Sequence, residues 1–326
     1  MISGWRHTLE RAWLRGDRWL VLLQPFAAIF RVLVGVRRAC YRFGLLRVYR
    51  APVPVIVIGN ITAGGTGKTP VVIALVQALS QHGLRAGVVS RGYRARRSHS
   101  PHVVGPGSTV ADCGDEALVI QRRTGCPCVT APVRAEAARQ LMAVAQVDVI
   151  ISDDGLQHYA LARDMEVVLF DVYRAFGNGR LLPAGPLREP LTRLAEAEYV
   201  LSRGIDDSAD VILQPECLVN LKTGQQTAFT PTSMGSDVYA VVGVGSPEGF
   251  LASLRAVGFQ LEPRIFPDHH HYSRADFAHL ADRPIIMTEK DAVKCVGLAG
   301  GNAWYLRVSA RLPQRLVDDV IHLASN

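Results

Sequence analysis

The chain has 326 residues, of which 48% are hydrophobic and 20% charged, with a formal net charge of +7. That length and apolar content allow one large or two medium domains with a sizeable core, and exclude intrinsic disorder and a small cysteine-stapled scaffold. The positive charge is local: residues 1–50 carry ten Arg against Glu10 and Asp17, a net +8 that leaves −1 for residues 51–326, so basicity belongs to a patch.

Lys occurs only at Lys68, Lys222, Lys290 and Lys294. Most cations are therefore guanidinium groups suited to forked contacts with phosphate or carboxylate, a preference that GC-rich coding would also produce. The six Cys lack paired CxxC spacing, which points to reduced thiols in a cytoplasmic setting. Cys126-Pro-Cys128 is a weak candidate for a metal.

The first residues show no secretory pattern of basic region, short apolar run and small-residue cleavage site. The longest uncharged run, Trp19 to Phe30, has twelve residues before Arg31 interrupts it. A bilayer needs about twenty, so a spanning helix is not expected. Trp5, Leu9, Ala12, Trp13, Leu20 and Leu23 recur near helical spacing beside Arg6, Arg11, Arg15 and Arg18. This reads either as a helix lying on a membrane surface or as one docked on its own protein. A second basic run, Arg37, Arg38, Arg42, Arg47 and Arg50, is interleaved with Tyr41, Phe43 and Tyr49. Because a Trp-rich apolar segment stands beside it, anionic phospholipid is favoured over nucleic acid.

Pro52 and Pro54 end this region, and Val55-Ile-Val-Ile58 reads as a buried strand. It enters Gly59-Asn-Ile-Thr-Ala-Gly-Gly-Thr-Gly-Lys-Thr69, after which Pro70 to Leu79 reads as a helix. Strand, glycine loop and helix in this order are a strong phosphate-loop signal. Asn60, Gly64, Gly65, Thr66, Gly67, Lys68 and Thr69 are the nucleotide-binding candidates. The glycines let backbone N–H groups curl around phosphates, Lys68 reaches the transferred group, and the Thr69 hydroxyl suits Mg²⁺. Thr62 stands where the usual motif has its first Gly.

Ala86-Gly-Val-Val89 is a second strand, ending in Ser90-Arg-Gly-Tyr93 at the carboxyl edge of the sheet. Arg91, Tyr93 and the following Arg94, Arg96 and Arg97 are candidates for acidic substrate groups, and residues 98–112 read as an extended loop. Asp115 and Glu116 open a helix through Arg123; an acid there is either a favourable terminal charge or a catalytic group.

Val147 to His158 reads as a buried parallel strand with carboxylates at its exit. Asp153 and Asp154 sit where a phosphate-loop enzyme places the acid that organises Mg²⁺. A strand at Glu166 to Phe170 follows, then a glycine- and proline-rich stretch from Gly177 to Pro190 without helix signals, which suggests a substrate-shaping loop carrying Arg188 and Glu189.

Residues 211–229 read as two short strands around Lys222-Thr-Gly-Gln-Gln226, a hairpin linker. A second α/β unit begins at Val238. It contains Pro267-Asp-His-His-His-Tyr272, strands at Pro284 to Met287 and Trp304 to Val308, and a final helix from Pro313 to Leu323. The adjacent histidines point in different directions, so zinc is disfavoured there.

Taken in order, Gly59 to Pro70, Ser90 to Tyr93, Gly114 to Glu116, Ser152-Asp-Asp-Gly-Leu-Gln-His158, Leu182 to Glu189, Pro267 to Tyr272 and Thr288-Glu-Lys-Asp-Ala-Val-Lys294 resemble the tetraacyldisaccharide 4'-kinase family of lipid A biosynthesis. The phosphate loop alone is shared with many ATPases; the Asp-Asp-Gly-Leu-Gln-His run is far more specific.

The resemblance implies an α/β fold: a P-loop NTPase-like doubly wound sheet in residues 51–210, a β-hairpin linker at 211–235, and a smaller α/β domain at 236–326 whose last helix is free to pack back on the core. Residues 1–50 form an N-terminal amphipathic helical region for membrane contact. It implies transfer of phosphate from MgATP to the 4'-hydroxyl of an acylated glucosamine disaccharide 1-phosphate, at the cytoplasmic face of the bacterial inner membrane. Phospholipid is then a partner; nucleic acid and an obligate protein partner are not expected.

Carried onto this chain, the family roles put Lys68 on the ATP phosphates, Thr69 on Mg²⁺, and Asp115 at the sugar hydroxyl as general base. One histidine of 269–271, taken as His270, supports Asp115. Thr69, Asp153, Asp154 and Glu189 form the metal set, and Arg91, Tyr93, Arg188, Gln157 and His158 the substrate set. The opposing class, a membrane-targeted ATPase switch, commonly carries a second Lys before the paired glycines, where this chain has Ala63.

Overall fold

The protein was analysed as a computed structural model, which describes residues 2–64, 67–93, 95, 100–245, 247–268 and 270–325, with the side chains of residues 2–7 left aside. The chain begins with α1 (Ile2–Arg15), a 3₁₀ turn at Arg18–Leu23 and α2 (Gln24–Arg42). The nucleotide-loop region follows as β1 (Val55–Gly59), α3 (Lys68–Gln81) and β2 (Ala86–Ser90). Next come β3 (His102–Val104), α4 (Val110–Cys113), α5 (Asp115–Thr124), β4 (Cys128–Thr130), α6 (Arg134–Val144) and β5 (Val149–Asp153). The middle of the chain supplies β6 (Met165–Asp171), β7 (Tyr199–Gly204), β8 (Val211–Asn220) and β9 (Gln226–Ala228). The C-terminal part is β10 (Asp237–Val242), α7 (Pro247–Ala256), β11 (Gln260–Ile265), β12 (Ile285–Thr288), α8 (Glu289–Cys295), β13 (Ala303–Arg311) and α9 (Gln314–Ser325).

The described strands form one 13-stranded mixed sheet in the order β11-β10-β12-β13-β8-β7-β6-β1-β5-β2-β4-β3, with β9 paired to β8. The run from β8 through β4 is parallel, as is the run from β11 to β13; β8 and β13 join them antiparallel. The hairpin expected as a linker is therefore embedded in the sheet, and the C-terminal strands continue that sheet instead of forming one of their own.

Strand alternation explains the layers. Ile56 and Ile58 of β1 point into one cluster with Leu75 and Leu79 of α3, Leu118 of α5, and Leu316 and Val320 of α9. Val55 and Val57 point into the opposite cluster with Ala138 and Leu141 of α6 and, at its margin, Ala27 and Phe30 of α2. With both faces covered, β1 is apolar and buried throughout, as a central parallel strand must be. The C-terminal strands have their own clusters on either face, one around Val241 and Met287, the other around Val238 and Leu254.

The loop expected over 98–112 contains β3 and α4, the latter closed by reciprocal hydrogen bonds between Thr109 and Asp112. After Tyr272 the chain makes a single 3₁₀ turn, Arg274–Phe277. All six cysteines are free thiols, and Cys113, Cys126 and Cys128 are buried.

The first helix is docked on its own protein, one of the two readings of its sequence. Ala12 and Trp13 of α1 are buried with Leu20 against Ala63 and Leu182, and Trp13 Nε1 donates to Pro183 O at 3.0 Å. From Leu22 in the 3₁₀ turn onto α2, Leu22, Phe26, Ile29, Leu33 and Val36 follow helical spacing and are all exposed. The helical segment Arg18–Arg42 is, by length and composition, long and apolar enough to cross a membrane, and its most apolar 18 residues have a mean hydropathy of 1.9. That corrects the length argument from the uninterrupted run, because a single Arg31 does not end the helix. Its other face is bound laterally, with Arg37 Nη2 donating to Gln157 O at 3.2 Å and Arg38 paired to Glu196.

Candidate active site

The carboxyl ends of β1, β2, β5, β6 and β7 open on one edge of the sheet, where parallel α/β sheets place their ligands. The chain leaves β1 through Gly59, where a Cβ would stand 2.6 Å from Leu156 Cβ and 3.2 Å from its backbone N, so only glycine allows β1 and the turn after β5 to approach. Asn60 is fully buried and knits the loop. Its Nδ2 donates to Thr62 O at 2.9 Å, and its Oδ1 accepts from Lys68 Nζ at 3.1 Å and from Arg188. The loop is braced from outside by Ala63 N–H to Pro186 O at 2.7 Å.

Gly67 adopts φ 66° and starts α3, whose first residues Lys68 and Thr69 are buried. A buried ammonium and hydroxyl at the positive end of a helix make a place for anionic oxygen. Gly64 is described with φ 107°, whereas Gly65 and Thr66 lie outside the described residues.

Asp153 and Asp154 behave differently. Asp153 ends β5, almost wholly buried, with its carbonyl accepting from Arg134 Nη2 at 2.7 Å. Burial and then the nearby Glu116 carboxylate raise its pKa to about 7 against the pull of Lys68. Its Oδ1 has no hydrogen-bond partner among the described residues. Asp154, in the left-handed region at φ 48°, turns to Lys68 at 3.3 Å and Arg188 at 3.3 Å. Burial raises its pKa, but these two cations outweigh it and hold the carboxyl well below the usual range.

Asp115 opens α5 after Gly114, which adopts φ 81°; it is buried, and its Oδ1 accepts the Glu116 N–H at 2.9 Å. Glu116 pairs with Lys290 from α8. Lys290 carries the charges of Glu116, Asp115 and Asp153, so α5, β5 and the C-terminal part meet here. Lys68, Asp153, Asp154 and Asp115 are thus electrostatically connected around one sheet edge.

Glu189 and His270 sit in settings that the sequence did not reveal. Glu189, expected as a metal ligand, is fully buried with its oxygens engaged: Gln157 Nε2 donates at 2.7 Å, Tyr159 donates its hydroxyl, and Arg193 Nε lies at 3.3 Å. A carboxylate so engaged anchors the loop and Gln157. His270, expected beside Asp115, stacks on Phe266 at 4.6 Å and stands edge-on to Tyr272 at 4.9 Å. Its Nε2 lies 3.5 Å from Asp276 Oδ2 and has no hydrogen-bond partner among the described residues. His269 lies outside the described residues.

Of the substrate candidates, Arg188 joins Thr62 O at 2.9 Å, Asn60 and Asp154, and Gln157 also reaches Asn60 O at 3.2 Å. His158 is half-buried, and burial with Arg134 and Arg91 lowers its pKa to about 3, so its ring stays neutral. Arg91 and Tyr93 are exposed at the end of β2, while Arg94, Arg96 and Arg97 lie outside the described residues. A cavity of about 870 Å³ beside α2, lined by Arg38, Arg42, Phe43 and Tyr159 among others, does not include Lys68, Asp115 or Asp153.

Three residues escaped the sequence reading. Arg134, at the start of α6, is buried beneath Asp153, and burial lowers its pKa to about 10. Arg203, at the end of β7, packs where a Cβ on Gly67 would meet its Cδ at 2.9 Å, and it pairs with Asp171. Lys290 was visible only as part of the Thr-Glu-Lys-Asp run. A cation at or within a few residues of the carboxyl end of a strand was the available signal for all three.

The family model described as Tetraacyldisaccharide-1-P 4'-kinase matches residues 19–324. The chain belongs to this kinase family. A relative from Aeromonas hydrophila subsp. hydrophila named tetraacyldisaccharide 4'-kinase is 46% identical over 316 residues, covering 96% of this chain and 95% of the relative. Another so named, from Pseudomonas paraeruginosa, is 46% identical over 306 residues, covering 93% and 92%. A crystal structure of LpxK from Aquifex aeolicus in complex with ATP superposes with a TM-score of 0.79 at 26% identity, covering 94% of this chain and 99% of that one. The chain thus shares the mixed α/β fold of that ATP-bound structure.

Proposed function

We propose that this kinase phosphorylates the 4'-hydroxyl of a tetraacylated glucosamine disaccharide 1-phosphate at the cytoplasmic face of the inner membrane, and that the P-loop runs from Gly59 to Thr69. The observation that carries the site assignment is the buried Lys68 held between Asn60 Oδ1 at 3.1 Å and Asp154 Oδ1 at 3.3 Å. A lysine so placed is poised to exchange carboxylate for phosphate oxygen.

Phosphoryl transfer needs alignment and charge stabilisation more than covalent chemistry. Lys68 and the N–H groups at the start of α3 hold the phosphates and stabilise charge on the transferring group. Asp154 and Arg188 hold Lys68 and Asn60 in register before the phosphates arrive. Asp115 orients the sugar hydroxyl in line and accepts its proton late in the step, so an ordinary carboxylate basicity suffices if geometry is good. His270, whose Nε2 lies 3.5 Å from Asp276 Oδ2, would reach Asp115 when the C-terminal part, residues 236–326, closes as a smaller domain over the core.

The site suits Mg²⁺. Asp153 presents a buried, unpartnered carboxylate oxygen and Thr69 a buried hydroxyl, the few hard donors that a cation shared with ATP phosphates requires. When bound, the cation would neutralise charge on the phosphate oxygens. The exposed stripe of α2 and its flanking Arg residues fit an anionic membrane surface from which the acylated substrate is drawn.

The test is incubation with labelled ATP and the tetraacylated disaccharide 1-phosphate in detergent, followed by mass-spectrometric location of the phosphate. Label at the 4' position supports the reading. Protein that binds ATP but leaves the glycolipid unmodified overturns it, and transfer to another hydroxyl overturns the regiochemistry alone.

A further inference from the structure

The run Thr288-Glu-Lys-Asp291 has no part in the transfer as derived above, yet α8 packs directly on α5, the helix that begins with Asp115. Ion pairs tie the two helices at both ends of α5. Near its C-terminus Arg123 Nη1 bonds Glu289 Oε2 at 2.9 Å, and in its first turn Glu116 pairs with Lys290. The base of Lys290 is firm: Asp291 is fully buried, accepts Gly243 N–H at 3.0 Å and lies 2.7 Å from Lys294 Nζ.

The cluster needs a cation. Asp115 and Glu116 are adjacent in sequence, and Glu116 is the neighbour that most raises the Asp153 pKa. Three carboxylates this close repel one another unless a positive charge stands among them. From the core side Lys68 and Arg134 act on Asp153, but they serve the phosphate loop and the β5 carbonyl. Burial opposes the charge on Lys290, and Glu116, Asp115 and Asp153 together outweigh it, so its pKa is raised.

We infer that Lys290 is a positioning residue for phosphoryl transfer: its ion pair with Glu116, delivered from the C-terminal part of the sheet, fixes the first turn of α5 and with it Asp115. The inference rests on Asp115 being the base. Lys290 acts through Glu116 and the helix, so its loss displaces the base without touching the nucleotide loop.

The experiment uses full-length Lys290→Met and Lys290→Arg, assayed with ATP and the tetraacylated disaccharide 1-phosphate, with melting temperatures measured on the same preparations. Lys290→Met is expected to lower kcat roughly tenfold to a hundredfold, the cost of a misplaced catalytic group, with the KM for ATP unchanged. Lys290→Arg, which keeps the charge, restores most of the loss. Glu116→Gln removes the pair from the other side and shows the same split should Lys290→Met not fold. Unchanged kcat overturns the inference, as does a loss that follows the fraction of folded protein and is not restored by Arg. Asp115→Ala is run in parallel: parental turnover there removes Asp115 as base, whereas lost turnover there with parental turnover in Lys290→Met removes only the role of Lys290.

Discussion

Lys68 Nζ and Asp154 Oδ1 stand 3.3 Å apart across the mouth of the glycine loop. The lysine comes from the start of α3 and the carboxylate from the turn after β5, so the pair ties the two segments that frame the phosphates. Lys68→Met should lower kcat by at least about a hundredfold, on the scale set by removing one preorganised charge-stabilising group. Steady-state kinetics check this, with circular dichroism to show that the sheet is retained.

Asp115→Ala should reduce kcat by roughly 10²- to 10⁴-fold, the range for a positioned general base, while ATP binding is retained. Single-turnover rates and nucleotide titration on one preparation separate the two effects. Equal losses in both would remove Asp115 as base.

Asp153 supplies a pH signature. Its folded pKa of about 7 lies above the 3.8 of a free aspartate, so between these values the folded state holds a proton that the unfolded state has released. Stability from this group is complete at low pH and is lost as pH rises through that window. In magnesium- and nucleotide-free buffer, Asp153→Asn should therefore melt higher than the parent, with an advantage that grows from pH 5 to 7 and then levels. Calorimetry at several pH values measures it; an advantage that shrinks with rising pH contradicts the assignment. The same variant should lose turnover.

Gly59→Ala should destabilise by about 1–3 kcal/mol, the usual cost of overpacking. The new methyl would meet Leu156 Cβ at 2.6 Å and backbone N at 3.2 Å, and the backbone cannot step aside. Denaturant melts report the change.

Leu33 and Val36 are more than half exposed, at 62% and 56%, and neither contributes to the buried clusters. Leu33→Glu with Val36→Glu should leave the melting temperature of the detergent-free protein nearly unchanged and abolish co-sedimentation with anionic phospholipid vesicles. Retained sedimentation would locate membrane contact elsewhere.

Local order made much of this protein readable before any coordinates. β1 followed by a glycine loop and α3, β5 ending in paired aspartates, and α5 opening on Asp115 all appear where their residues place them, because a central parallel strand is apolar throughout and its catalytic groups lie just past its end. Motif order also carried the kinase family, which the comparisons share.

What chain order could not decide were matters of partnership across long sequence separations. Asp153 and Asp154 are neighbours in sequence, yet one is buried with a free oxygen and the other is turned at φ 48° onto Lys68 and Arg188. Glu189 takes Gln157, Tyr159 and Arg193 as partners, which its place in the loop does not reveal. Lys290 meets Glu116 across 174 positions. The amino-acid order determines which segments become strands and helices because that depends on apolar period and turn chemistry. The charge state and duty of each acid depend on burial and on which cation the sheet brings beside it, and only the tertiary structure decides those.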